Sequence, residues 1–139
     1  MRLLPLSLLI GSALLASCAT APRASESEKL ALYMRHSEPV QKVTYRDPIG
    51  WDDVGESHVL LTIKPTEGWL FRLAPGCLDW SGSGPALTVS RIAGVVTAGF
   101  DKVSRISPGM PTMACRIEEI RVVDLGAVRD ARNATAGNP

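Results

Sequence analysis

His58-Val59-Leu60-Leu61-Thr62-Ile63-Lys64 and Trp69-Leu70-Phe71-Arg72-Leu73, joined by Pro65-Thr66-Glu67-Gly68, decide the fold. Val59, Leu61 and Ile63 alternate with His58, Thr62 and Lys64, leaving Leu60 as the exception. Trp69, Phe71 and Leu73 alternate in the same way with Leu70 and Arg72. A period of two places each set on one face of a strand. Proline early and glycine late in the connection fit a tight hairpin loop. The six apolar residues should therefore line one face of an antiparallel pair.

Working outward, Val43 and Tyr45 suggest a preceding strand closed by Asp47-Pro48-Ile49-Gly50. Leu87 and Val89 suggest another, after the loop Ser81-Gly82-Ser83-Gly84-Pro85, and residues 100–106 a further one. Cys115, Ile117, Ile120 and Val122 are apolar at spacings of two, three and two. One extra residue in a strand makes such a phase change, so a bulge is expected near Glu118 and Glu119, with a single helical turn as the alternative. Before the strands, Ser25 followed by Glu28 fits a capping box, and Leu30, Tyr33 and Met34 recur at helical spacing. This predicts a short helix over residues 26–35 that Pro39 helps to end. Residues 127–139 are small and polar with almost no apolar anchor, and are expected as a disordered tail. A lone hairpin is not stable, whereas closing five or six strands buries the apolar face and limits exposed edges. The expected fold is mainly β: a small antiparallel barrel or roll with a short N-terminal helix.

The chain has 139 residues and a formal net charge of +1, so no basic excess draws it to nucleic acid. Its 12 Gly and 10 Pro suit many turns and short elements. At the N-terminus, Arg2 precedes an apolar run from Leu3 to Ala16 that is shorter than the about 20 residues a spanning helix needs. A charged start and a short apolar run form a signal-peptide pattern. The run ends in Leu15-Ala16-Ser17-Cys18, which resembles the lipobox of bacterial lipoproteins. That resemblance implies a signal peptide over residues 1–17, a diacylglyceryl thioether on Cys18, cleavage before it and acylation of the new amine. Residues 18–24 then form a lipidated linker, and residues 25–126 one small domain. Ordinary cleavage after Ala19-Thr20-Ala21 is the alternative, giving a soluble periplasmic protein. Similarity to lipoprotein sorting rules implies the outer membrane, periplasmic face, because Ala19 stands where aspartate would favour inner-membrane retention.

With Cys18 lipidated, Cys77 and Cys115 remain, in a compartment where disulfides persist. They lack the C-x-x-C spacing of redox-active pairs and read as a structural staple. Trp51, Gly55, the hairpin, Cys77, Phe100-Asp101, Val103 and the segment Cys115-Arg116-Ile117-Glu118-Glu119-Ile120-Arg121 also resemble a family of small proteobacterial lipoproteins of unknown function. The resemblance spans roughly residues 40–125 and the leader. It implies a lipid-anchored periplasmic domain with one disulfide, and it implies no activity or cofactor.

Chemistry-bearing residues are few. Asp52 and Asp53 follow Trp51 in a turn-like stretch near Glu56 and His58. Two carboxylates and an imidazole suit a divalent metal or acid-base work, against the plainer reading of a solvated turn. Ser81 and Ser83 lack the nucleophile-elbow pattern. Asp101 is expected at a strand end, bonded to backbone. Trp51, Asp53, His58 and Trp80 form the candidate binding surface, since indoles stack on sugars or grip peptides. No phosphate loop, zinc spacing or nucleic-acid motif is present, so no cofactor or metal is expected. The expected role is a non-catalytic module, membrane-held by lipid, that binds an envelope protein or peptidoglycan. A small periplasmic hydrolase or metal-assisted enzyme using Asp52, Asp53 and His58 is the alternative.

Overall fold

The computed structural model describes residues 24–77, 86–106, 109 and 113–137. The leader, Cys18 and Trp80 lie outside the described residues. Helix α1 (Glu26–Arg35) is followed by β1 (Ser37–Val40), β2 (Lys42–Thr44), β3 (Gly50–Val54), β4 (His58–Lys64) and β5 (Glu67–Leu73). Then come β6 (Ala86–Val89), β7 (Val95–Thr97), β8 (Lys102–Ile106), β9 (Ala114–Asp124) and α2 (Leu125–Ala136).

The expected hairpin is the centre of a curled antiparallel half-barrel with strand order β3-β4-β5-β9-β8-β6. The mainly β expectation holds. At eleven residues, β9 is the longest strand and serves as the spine. One edge of it pairs with β5. The other edge is shared end to end: Ser37–Val40 lie opposite Val123–Ile120, and Lys102–Ser104 opposite Arg116–Ala114. The bulge expected in β9 is present. Arg72 faces Glu119 while Leu73 faces Ile117, which leaves Glu118 as the extra residue.

Both faces of the sheet contribute to a buried core. On the inner face, Val59, Leu61, Ile63, Trp69, Phe71 and Leu73 form one core with Val103, Cys115, Ile117 and Ile120, as the alternation requires. A separate two-stranded ribbon, β2 with β7, closes over this core through Val96, with Val43 and Tyr45 packed at its margin. On the outer face, Leu60, Leu70, Val54 and Val123 pack against Tyr33 of α1 and Val128 of α2. Leu60 breaks the alternation because the face it points to is itself covered by helices.

Helix α1 starts at the expected capping box. Ser25 Oγ accepts from the Glu28 N–H at 3.2 Å, and Glu28 Oε2 accepts from the Ser25 N–H at 2.7 Å. It ends at Arg35, before Pro39, which instead sits in β1 opposite Arg121.

The expected disordered tail over residues 127–139 is corrected: α2 occupies Leu125–Ala136. Asp124 caps it, accepting from the Ala127 N–H at 2.9 Å, and Val128 is buried against the outer face. The Leu125 N–H also donates to the Thr66 carbonyl at 3.1 Å. A weakly amphipathic helix has little stability alone and gains it from the surface it covers. Among the described residues, no helix is long and apolar enough to cross a membrane.

Candidate functional site

Strand β3 positions the acidic candidates. It pairs with β4 so that Trp51 lies opposite Leu61 and Asp53 opposite Val59, on the inner face. Asp52 lies opposite Leu60, and Val54 opposite His58, on the outer face. Adjacent strand residues point to opposite sides. The two carboxylates are therefore separated by the sheet, and Asp53 is separated from His58. The stretch is a strand, not the turn its sequence resembled.

Each candidate has its own surroundings. Trp51 packs half-buried against the margin of the inner core. The Asp53 carboxyl is pushed up by partial burial; Arg105 opposes that shift, Asp52 and Glu26 reinforce it, and Lys29 opposes it. Asp52 instead lines a cleft of about 260 Å³ with Tyr33, Thr62, Pro65, Arg129 and Arg132. Both arginines of that cleft hold α2 in place. Arg129 Nη1 donates to the Pro65 carbonyl at 3.3 Å, and Arg132 Nη2 to the Tyr33 hydroxyl at 3.1 Å.

His58 is buried, with Nδ1 3.2 Å from Ser57 Oγ. Its pKa is lowered first by burial and then by the Arg72 guanidinium, with Glu119 working in the opposite direction. Arg72 begins a row of charges across the outer face that sequence reading missed. Arg72 Nη1 meets Glu118 Oε2 at 2.6 Å and its Nε meets Glu119 Oε2 at 3.3 Å. Arg121 meets Glu119 at 2.9 Å and donates to Ser37 Oγ at 2.8 Å, tying β1 to β9. Hydrogen bonds from Arg121 and the charge of Arg72 hold the Glu119 carboxyl below its ordinary range. These charges neutralise one another along the strands.

Among the described residues, no group of three or more His, Cys, Asp or Glu side chains is placed to hold a metal ion. Cys77 and Cys115 do meet, in a disulfide with Cα atoms 5.6 Å apart. Another cleft, about 630 Å³, opens between the end of α1, β1 and the start of α2, lined by Arg35, His36, Glu38, Glu67 and Asp124. Both clefts exist because α2 is ordered. The signal for it was Asp124 followed by Leu125 and Val128, a cap before residues at helical spacing.

With no convergent reactive set among the described residues, relatedness is the remaining guide. The chain belongs to DUF6491, a family of unknown function. The match spans residues 1–139. No curated protein and no solved structure matches the chain. Membership of DUF6491 brings no activity with it, so function must be argued from sites and surfaces.

Proposed function

We propose that this member of DUF6491 is an exported lipoprotein, cleaved before Cys18 and held by lipid on that cysteine at the periplasmic face of the outer membrane. Its β domain binds an envelope protein or peptidoglycan and does not catalyse a reaction. The observation that carries the reading is the Cys77–Cys115 disulfide. Such a bond forms and persists in oxidising compartments outside the cytosol. Joined to the run ending in Leu15-Ala16-Ser17-Cys18, it gives the three cysteines two roles, one as anchor and two as staple. Two or three acyl chains give stable anchoring, whereas one holds marginally. The separation of Asp53 from Asp52 and His58 across the sheet supports binding over catalysis.

Intact-mass analysis of the protein from its native membrane tests the anchor. The expected species begins at Cys18, carries the diacylglyceryl and amide-linked acyl groups, and has no free thiol. A chain starting downstream of Cys18, or unmodified there, overturns the reading. Crosslinking in intact cells should repeatedly recover one defined envelope partner or peptidoglycan fragment, and repeated recovery of none counts against the binding role.

A further inference from the structure

We infer that the cleft of Asp52, Arg129 and Arg132 binds an α-amino-acid zwitterion, an ammonium and a carboxylate carried on one carbon. The inference rests on the non-catalytic binding role proposed above and favours peptidoglycan over a protein as the partner.

The sequence builds the cleft from four elements. Strand β3 brings Asp52, β4 brings Leu60 and Thr62, and α1 brings Tyr33. Helix α2 brings Leu125, Val128, Arg129 and Arg132. Residues four apart on a helix share a side. Arg129 therefore follows Leu125, and Arg132 follows Val128, on the flank of the stripe that docks on the outer face. Docking of α2 thus carries both guanidinium groups to the cleft. Asp52 reaches it because it lies opposite Leu60, on that same face of the sheet.

The opposite charges share one space without meeting. Among the described residues, Asp52 forms no ion pair with either arginine. Each arginine uses an N–H to fix the fold, Arg129 on the Pro65 carbonyl and Arg132 on the Tyr33 hydroxyl. A guanidinium carries further donors in a planar fork that matches a carboxylate. Tyr33 is only 4% exposed, and a hydroxyl that accepts from Arg132 can still donate its own proton. A simple anion meets the repulsion of Asp52 here, and a simple cation that of two arginines. A ligand bearing both charges finds a partner for each. Asp52 takes the ammonium, and Arg129 and Arg132 take the carboxylate.

Size and chemistry narrow the source. At about 260 Å³ the cleft falls just below the roughly 300–1,000 Å³ of pockets for drug-sized molecules. It suits one amino-acid centre and not a folded surface. A protein chain carries its terminal ammonium and carboxylate at opposite ends. The diaminopimelate of a peptidoglycan stem peptide carries both on one exposed carbon, as does a free amino acid.

The test titrates the full-length lipidated chain in detergent, by calorimetry, with three probes: the stem tripeptide ending in meso-diaminopimelate, the same tripeptide ending in lysine, and free alanine. Lysine keeps the side-chain ammonium and lacks only the carboxylate beside it. Hydrogen bonds between charged groups set the scale, so the diaminopimelate form should bind about tenfold more tightly or better. Asp52→Asn keeps the side-chain shape and should weaken that binding by a similar factor, about tenfold. Glu56→Gln, in the β3–β4 turn and outside the cleft, should bind as wild type. Alanine binding as tightly as the tripeptide would keep the zwitterion site and overturn peptidoglycan as its source. Equal affinity for both tripeptides, or an unchanged Asp52→Asn affinity, overturns the site. Co-sedimentation with purified sacculi separates this failure from failure of the broader reading. Wild type and Asp52→Asn pelleting alike overturns the cleft and leaves peptidoglycan binding in place, whereas a wild type that does not pellet overturns peptidoglycan as the partner.

Discussion

Asp101 is a carboxylate taken almost wholly out of water, at 4% exposure, and every direction around it is answered. Its Oδ1 accepts from the Ser90 hydroxyl at 2.6 Å and its Oδ2 from the Thr97 N–H at 2.7 Å. Its backbone carbonyl accepts from the Ile117 N–H at 2.9 Å. The side chain joins the loop before β7, the end of β7 and the start of β8, which matches the backbone-bonding role its sequence position suggested. Replacing it by alanine leaves the Ser90 hydroxyl and the Thr97 N–H without this acceptor, and hydrogen bonds to a charged group are worth about 1.5–3 kcal/mol each. Asp101→Ala should lower stability by about 2–3 kcal/mol in urea unfolding, with Ser90→Ala costing less. An Asp101→Ala midpoint equal to wild type would contradict this role. His58 makes the second test at this scale. Burial and Arg72 depress its folded pKa below the ordinary 6.5. Below that value the unfolded chain takes up a proton that the folded chain resists, so stability falls as pH drops from 6.5 toward the folded pKa. His58→Gln should flatten that decline in unfolding measurements from pH 7 to 5, and an unchanged slope would place the acid sensitivity elsewhere.

At the scale of elements, Gly68 shows what sequence could and could not reveal. In the stretch Pro65-Thr66-Glu67-Gly68 it reads as the glycine of a turn. In the structure Lys64 already pairs with Glu67, so the turn is Pro65-Thr66 and Gly68 lies inside β5, opposite Thr62. What requires glycine is the neighbouring strand β4 together with the helix above. A Cβ at 68 would meet Leu60 Cδ1 at 3.0 Å, the Leu61 carbonyl oxygen at 3.1 Å and Leu125 Cδ1 at 3.3 Å. One of these is backbone and cannot rotate away. Gly68→Ala should cost about 1–3 kcal/mol by overpacking and should raise amide exchange in α2 more than in β9. Equal protection of α2 in both proteins would separate the glycine from helix docking. The hairpin, the capping box and the β9 bulge were legible because each is a local pattern written in periodicity or spacing. Helix α2 was not, because its short apolar stripe of Leu125 and Val128 has meaning only beside the outer-face residues Leu60, Leu70 and Val123. Strand β3 was misread as a turn for a related reason. Asp52 and Asp53 are poor strand residues, yet they sit where only β4 pairs with the strand and charge discourages further pairing. The candidate site shared this limit, since knowing that Asp53 and His58 lie on opposite faces requires the register of β3 on β4.

For the whole molecule, one sheet carries two cores, and the inner core is closed partly by a covalent bond. Cys115 is fully buried in it beside Val103 and Ile117, while Cys77 lies on the segment leaving β5. The bond spans a sequence separation of 38, and loop closure over that length restricts the unfolded chain by about 4 kcal/mol in the chain-entropy account. A domain of this size has only about 5–15 kcal/mol of net stability, so the bond separates a robust fold from a marginal one. Cys77→Ala with Cys115→Ala should therefore shift the urea midpoint strongly downward. Adding dithiothreitol to the wild type should produce a similar shift and leave the double variant unchanged. Because the bond acts mainly on the unfolded chain, folded-state circular dichroism should be alike in both forms at low urea. A reduced wild type that keeps its oxidised midpoint would show that β9 is held by its pairing with β5, β1 and β8 alone. It would also remove the reason for linking this fold to an oxidising compartment.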